Sequence, residues 1–259
     1  MRKAMADWSP EQYLKFEDER TRPARELLAR VPLEKPRRII DLGCGPGNST
    51  ELLHRGFPSS QTIGLDSSPS MLRKARERLP DCSFVEADIG SWTPDPGTDL
   101  LFGNAVFQWV PDHPPVLRRL LESLPPGGVF AVQMPDNTKE PANALQREVA
   151  ATGPWAKDLT GAVPRSDLLS AEAYYDLLKP ACTRIDIWHT IYNFVMATPQ
   201  AIVEWFKGSS LQPYLNLLDG DAREKFLAAY SERVSGAYKP RVDGAVLLKF
   251  PRLFVVATR

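Results

Sequence analysis

Asp41-Leu42-Gly43-Cys44-Gly45-Pro46-Gly47-Asn48 sets a carboxylate, three alternating glycines and a helix-capping amide in one short stretch. Glycine admits positive φ and lets backbone amides approach a ligand with no Cβ between them, so such a loop suits a nucleotide-like molecule. A second acid, Asp66, follows Gly47 by 19 residues, about the separation at which a carboxylate accepts ribose hydroxyls in dinucleotide sites. The glycines, however, are spaced G-x-G-x-G rather than G-x-G-x-x-G, which favours a different cofactor. Asp88 and Asn104 add a further acid and an amide downstream.

These groups need strands to bring them together. Ile39-Ile40 runs into the loop, and Asn48-Ser49-Thr50-Glu51 leaves it with the pattern of a capping box, so the stretch reads as strand, turn, helix. Gln61 to Leu65 forms a second strand ending on Asp66, Ser83 to Ile89 a third carrying Asp88, Thr98 to Asn104 a fourth, and Val129 to Met134 a fifth. In open α/β sheets ligands lie beyond the carboxyl ends of the strands, so the acids and the amide converge on one crevice.

Four stretches in this order, Asp41 to Gly47, Leu65-Asp66-Ser67-Ser68, Glu86-Ala87-Asp88 and Phe102-Gly103-Asn104-Ala105-Val106-Phe107-Gln108-Trp109, resemble the motifs of the class I S-adenosylmethionine-dependent methyltransferases. The resemblance implies an α/β fold with a Rossmann-like, mostly parallel sheet of seven strands. It implies S-adenosylmethionine as cofactor and S-adenosylhomocysteine as product. Cofactor contacts are then expected from Asp41, Gly43, Cys44, Gly45 and Asn48 in the loop, from Asp66 on the ribose, and from Ser67 and Met71 beside the adenosine. Asp88 and Ile89 would meet the adenine, and Asn104, Gln108 and Trp109 would line the methionine portion and the methyl acceptor. Met71 and Trp109 also fit ordinary core packing. A nicotinamide-dependent oxidoreductase is disfavoured by the glycine spacing and by the lack of a Tyr-x-x-x-Lys pattern; a non-catalytic S-adenosylmethionine-binding module is a third reading.

The chain of 259 residues fits one elaborated domain, 1–259. Thirty-two basic and 32 acidic residues balance, which points away from a nucleic-acid or membrane surface and toward a small-molecule partner. Cys44, Cys82 and Cys182 form neither a disulfide framework nor a metal pattern. No apolar run approaches the roughly 18 residues of a membrane span, and Met1-Arg2-Lys3 is not followed by a signal-peptide core. A cytoplasmic monomer without metal is expected.

Outside the shared motifs, Ser9-Pro10-Glu11 opens one helix and Pro23 a second, giving lid helices over 9–30 with Tyr13, Phe16 and Arg20 at helical spacing. Helical insertions over 135–182 and 198–243 are read as a substrate cap, Thr183 to Ile191 as a sixth strand, and Val246 to Ala257 as a hairpin-like region bent at Pro251. Asp7-Trp8-Ser9-Pro10 with Tyr13, Gln133 to Asn137, and Leu248 to Ala257 resemble, over nearly the full length, a branch of the family that esterifies a small tricarboxylic acid such as trans-aconitate. Planar guanidinium groups pair with carboxylates at two points, so Arg20, Arg165 and Arg252, with Tyr13 and Tyr174, are the expected acceptor ligands; Tyr238 and Arg241 are secondary. The branch that methylates a malonyl-carrier protein shares the loop and a Gln-Trp pair, but would carry a basic docking face that a neutral chain does not suggest. A carboxylate acceptor is already ionised at neutral pH and needs no general base; His113, before Pro114-Pro115, is read as a helix start.

Overall fold

The computed structural model describes residues 16–162, 165 and 167–259. Ile39, Ile40 and Leu42 are buried together along β1 (Arg38–Leu42), as a central parallel strand covered on both faces requires. β2 (Gln61–Asp66) and β4 (Leu100–Asn104) flank it in parallel, placing Asp41 level with Gly64 on one side and Phe102 on the other. β3 (Ser83–Glu86) joins β2, and β5 (Val129–Pro135) joins β4. Antiparallel β7 (Val246–Thr258) pairs with β5 from Val129↔Thr258 to Pro135↔Arg252, and β6 (Arg184–Met196) lies beyond it. The order β3-β2-β1-β4-β5-β7-β6 reverses direction between β1 and β4, and ligands of open α/β sheets bind in the crevice at such a switch point. The sheet is therefore the expected seven-stranded, mostly parallel one.

Its helices are α1 (Glu17–Leu28), α2 (Asn48–Gly56), α3 (Pro69–Arg78), α4 (His113–Ser123) and α6 (Ala171–Leu178). Leu117, Leu120 and Leu121 of α4 lie in one buried cluster with Leu101, Phe130, Leu253 and Leu178. With β1–β5 and parts of β6 and β7 they form one compact unit, Glu17–Pro135, Ser166–Thr190 and Arg252–Arg259. A second unit comprises Phe16, Asp136–Arg165 and Ile191–Pro251, within the described residues. It contains α5 (Pro141–Thr152), α7 (Pro199–Lys207), α8 (Gln212–Leu215) and α9 (Gly220–Ala237). Trp205 is ringed there by Phe16, Phe194 and Phe250 at centroid distances of 5.0, 5.1 and 5.6 Å. The expected insertion over 135–182 is thus divided, because Tyr174 and Leu178 of α6 pack into the core of the sheet unit. Among the described residues no helix is long and apolar enough to cross a membrane.

Four local expectations change. Pro23 lies inside α1, on its buried face, instead of starting a second helix; of the expected first helix, opened at Ser9, residues 9–15 with Tyr13 fall outside the described residues. α2 is capped by the backbone of Gly47 at φ 92, without a side-chain cap, and Asn48 is its first residue. Asn48 instead donates to Glu17 at 2.6 Å, while Glu51 is drawn to the cations of Arg55 and Arg78, so no capping box forms. β3 stops at Glu86, because the Asp88 carboxylate turns back to accept the Gly90 N–H at 2.8 Å. β7 runs unbroken through Pro251, which sits one residue past the β5 ladder, so its missing N–H breaks no pairing there.

Candidate active site

At the carboxyl end of β1, Gly43 has φ +66, and a Cβ there would lie 2.2 Å from the Val106 side chain, so only glycine fits. Gly45 also has positive φ, but faces open space. The loop is tied to the next strand end: the Asp66 carboxylate accepts Gly45 N–H and, through its other oxygen, Ser68 N–H, both at 2.9 Å. Ser68 caps α3 by accepting the Met71 N–H. Asp41 is fully buried beneath the loop and accepts hydroxyls from Ser49 at 2.7 Å and Thr50 at 2.6 Å. Burial pushes its carboxyl up to about 7, against the pull of those hydroxyls and with a small push from Asp66. The Cys44 thiol is buried and pushed well up by desolvation, so it is no nucleophile; its backbone N–H closes the loop onto Leu65.

At the end of β4 the chain turns through Ala105 at φ 58, a left-handed conformation rare outside glycine. Ala105 N–H donates to the Gln133 carbonyl at 3.0 Å, and the Ala105 carbonyl accepts the Gln108 side chain. The Gln133 side chain donates to Asn104 Oδ1 and accepts from Arg252 Nη1 at 3.0 Å. Trp109 is half-buried in the single turn after this bend.

The structure thus brings Asp41, Gly43, Cys44, Gly45, Asp66 and Asn104 to adjoining strand ends at the switch point, with Ser67 exposed beside them. The open face at Gly45 and the acid at the end of β2 fit the ribose and amino-acid portions of a nucleoside such as S-adenosylmethionine. Asp88 is exposed, whereas Met71 is buried and the Ile89 side chain belongs to the core. Of the expected acceptor ligands, Arg20 lies on the buried face of α1 and Arg252 beside Gln133. Tyr174 is placed differently: it has no exposed surface, and its hydroxyl is 2.6 Å from His113 Nε2. Tyr238 accepts Ala142 N–H, and Arg241 is exposed in a turn. In the second unit, Arg165 donates to Asn137 Oδ1 at 2.5 Å and lines a small open cleft together with Arg147, Ser210 and Tyr214. None of the side chains lining that cleft is acidic.

Sequence reasoning passed over the side chain of Gln133, although a lone amide in the apolar run Val129–Pro135 was a visible signal. It also passed over Arg147 and Ser210, which nothing in their local sequence distinguishes.

Residues 33–194 match a family model described as a methyltransferase domain. A trans-aconitate 2-methyltransferase of Rhodopseudomonas palustris is 58% identical over 256 residues, covering 98% of this chain and 100% of that protein. Proteins of the same name from Methylobacterium radiotolerans and Variovorax paradoxus are 55% and 52% identical, each covering 98% of this chain and 99% of theirs. The chain belongs to the trans-aconitate 2-methyltransferase family. Among solved structures, the YcgJ protein of Bacillus subtilis superimposes with a TM-score of 0.58 at 14% identity, over 92% of this chain and 99% of that one. A phosphoethanolamine N-methyltransferase of Haemonchus contortus, in complex with S-adenosylmethionine, does so with a TM-score of 0.56 at 18% identity, over 96% and 56%. At these identities the likeness speaks to the fold, the class I methyltransferase sheet that members of the family share.

Proposed function

We propose that this protein transfers the methyl group of S-adenosylmethionine to a carboxylate of trans-aconitate, releasing S-adenosylhomocysteine and a methyl ester. The observation that carries the reading is near-full-length identity of 52–58% to proteins that bear that activity in their names. The same agreement disfavours a carrier-protein acceptor and a nicotinamide cofactor.

The cofactor brings an electrophilic methyl group on a sulfonium centre. Asp66 accepts the ribose hydroxyls, the Gly43–Gly45 turn admits the amino-acid end, and Asp88 and Ile89 take the adenine edge. Trp109 and Gln108 wall the acceptor side. Arg20 pairs with a carboxylate of the acceptor, which carries three. A carboxylate nucleophile is ionised near pH 4 and above, so no proton has to be removed. His113 agrees with this: burial lowers its pKa, and its ring nitrogen is held by Tyr174. The protein's contribution is alignment and exclusion of water, and alignment alone lowers a barrier by about 7–11 kcal/mol in favourable cases. We read the enzyme as a cytoplasmic monomer.

The test is a panel assay with trans-aconitate, cis-aconitate, citrate, isopropylmalate and malonyl-carrier protein. Trans-aconitate should give the highest kcat/KM, with one ester per turnover. Preference for the carrier protein would transfer the reading to the carrier-protein branch.

A further inference from the structure

The hydrogen bonds from Arg252 to Asn104 admit one polarity. A guanidinium only donates, so Gln133 must turn its side-chain oxygen to Arg252 Nη1 at 3.0 Å, which commits its NH₂ group to Asn104 Oδ1. Amide oxygen and nitrogen are alike in shape, and their assignment follows from the network; here the cation assigns both amides in turn. Asn104 is left with its own NH₂ on the other side, without a partner among the described residues. The backbone holds the same register, since Ala105, at φ 58, is pinned through its N–H to the Gln133 carbonyl. Strain of this kind at a strand end persists only where surroundings enforce it, and it collects at ligand sites. Asn104 ends β4, beside β1, at the switch point of the sheet.

We propose that the Asn104 NH₂ group is a carboxylate-binding donor at the switch point, and that Gln133 and Arg252 are positioning residues that fix its direction. An oriented donor with a buried cation behind it suits an anionic oxygen. This rests on the methyl-transfer reading, in which two ligands carry carboxylates: the amino-acid end of the cofactor, and the acceptor.

The decisive variant is Gln133→Glu, at a residue that need touch no ligand. A carboxylate there accepts from Arg252 and from Asn104 at once, so Asn104 must rotate and present its oxygen outward. Asn104→Asp makes the same reversal directly and isosterically, whereas Gln133→Leu removes the direction without reversing it. Calorimetry with S-adenosylhomocysteine, KM and kcat with trans-aconitate, and thermal midpoints are measured for all three. Both reversing variants should weaken one ligand at least tenfold, and Gln133→Leu clearly less, even where it lowers the midpoint more. Loss confined to S-adenosylhomocysteine identifies the cofactor's carboxylate; loss confined to the KM for trans-aconitate identifies the acceptor's. Both ligands within twofold of wild type in both reversing variants would overturn the proposal, as would equal ligand loss in Gln133→Leu and Gln133→Glu. If the wild-type protein does not methylate trans-aconitate, the functional reading fails, and the S-adenosylhomocysteine arm still decides the role of Asn104.

Discussion

Arg252 Nη1 donates to the side-chain oxygen of Gln133 at 3.0 Å, with Arg252 only 3% and Gln133 0% exposed. The pair joins β7 to β5 diagonally, from Arg252 in the last register position, opposite Pro135, to Gln133 two positions in, opposite Phe254. Arg252→Met leaves a buried amide oxygen unpaired, at a cost of about 1–3 kcal/mol. The thermal midpoint should fall by roughly 2–10 °C for a chain of this size. A double-mutant cycle with Gln133→Leu should return a coupling of about 0.5–3 kcal/mol by chemical denaturation; additive effects would show that the bond is energetically idle.

Asp66 holds Gly45 and Ser68 through its two oxygens at the end of β2, where the proposed function places the ribose. Asp66→Ala should lose roughly 1.5–3 kcal/mol of binding, or about 10- to 150-fold in affinity for S-adenosylhomocysteine. Calorimetry reads this directly, and an unchanged Kd removes Asp66 from the site.

Asp41 makes stability depend on pH with an unusual sign for a carboxylate. Its folded pKa is raised to about 7 from 3.8, so between those values the folded protein keeps a proton that the unfolded chain has released. This group's contribution to stability is greatest below about pH 4, and is lost as pH rises toward 7, by an upper bound of roughly 4 kcal/mol. Asp41→Asn preserves acceptance from Ser49 and Thr50 but cannot ionise. Its midpoint relative to wild type should rise from pH 5 to pH 7 and level off above; a constant difference across that range would refute the assignment.

His113 and Tyr174 serve each other, 2.6 Å apart in the core. The rate at saturating substrates should be nearly flat from about pH 6.5 to 8.5, above the ionisation of a carboxylate acceptor. His113→Ala should lower the thermal midpoint and, assayed well below it, keep most of the turnover. A steep rise in wild-type rate through pH 7 that vanishes in the variant would point to a general base and a hydroxyl or amine acceptor.

β1, β2, β4 and β5 were legible because each is short, largely apolar and closed by a polar or glycine-rich signal, so the ends carrying Asp66 and Asn104 were placed to the residue. What escaped were features decided by distant partners. Glu51 had the local pattern of a capping residue, but Arg78 lies 27 positions along the chain and outcompetes the cap. Tyr174 had the chemistry of an acceptor ligand, and only the packing of α6 on α4 reveals that His113 already holds its hydroxyl. Arg147 and Ser210 come from α5 and from the turn after α7, and no local spacing links them.

The pairing of β5 with β7 has a consequence for synthesis. β5 is buried at every position, and its free side is closed only by residues 252–258, made roughly 115 residues later. At about 5–20 residues per second, the nascent sheet carries an open apolar edge for roughly 6–23 s. An unpaired edge of that kind templates contact with other chains. Ribosome-bound chains halted between Ile191 and Val246 are therefore the species on which a holding chaperone should act, and its removal should cost soluble yield at that stage rather than after release.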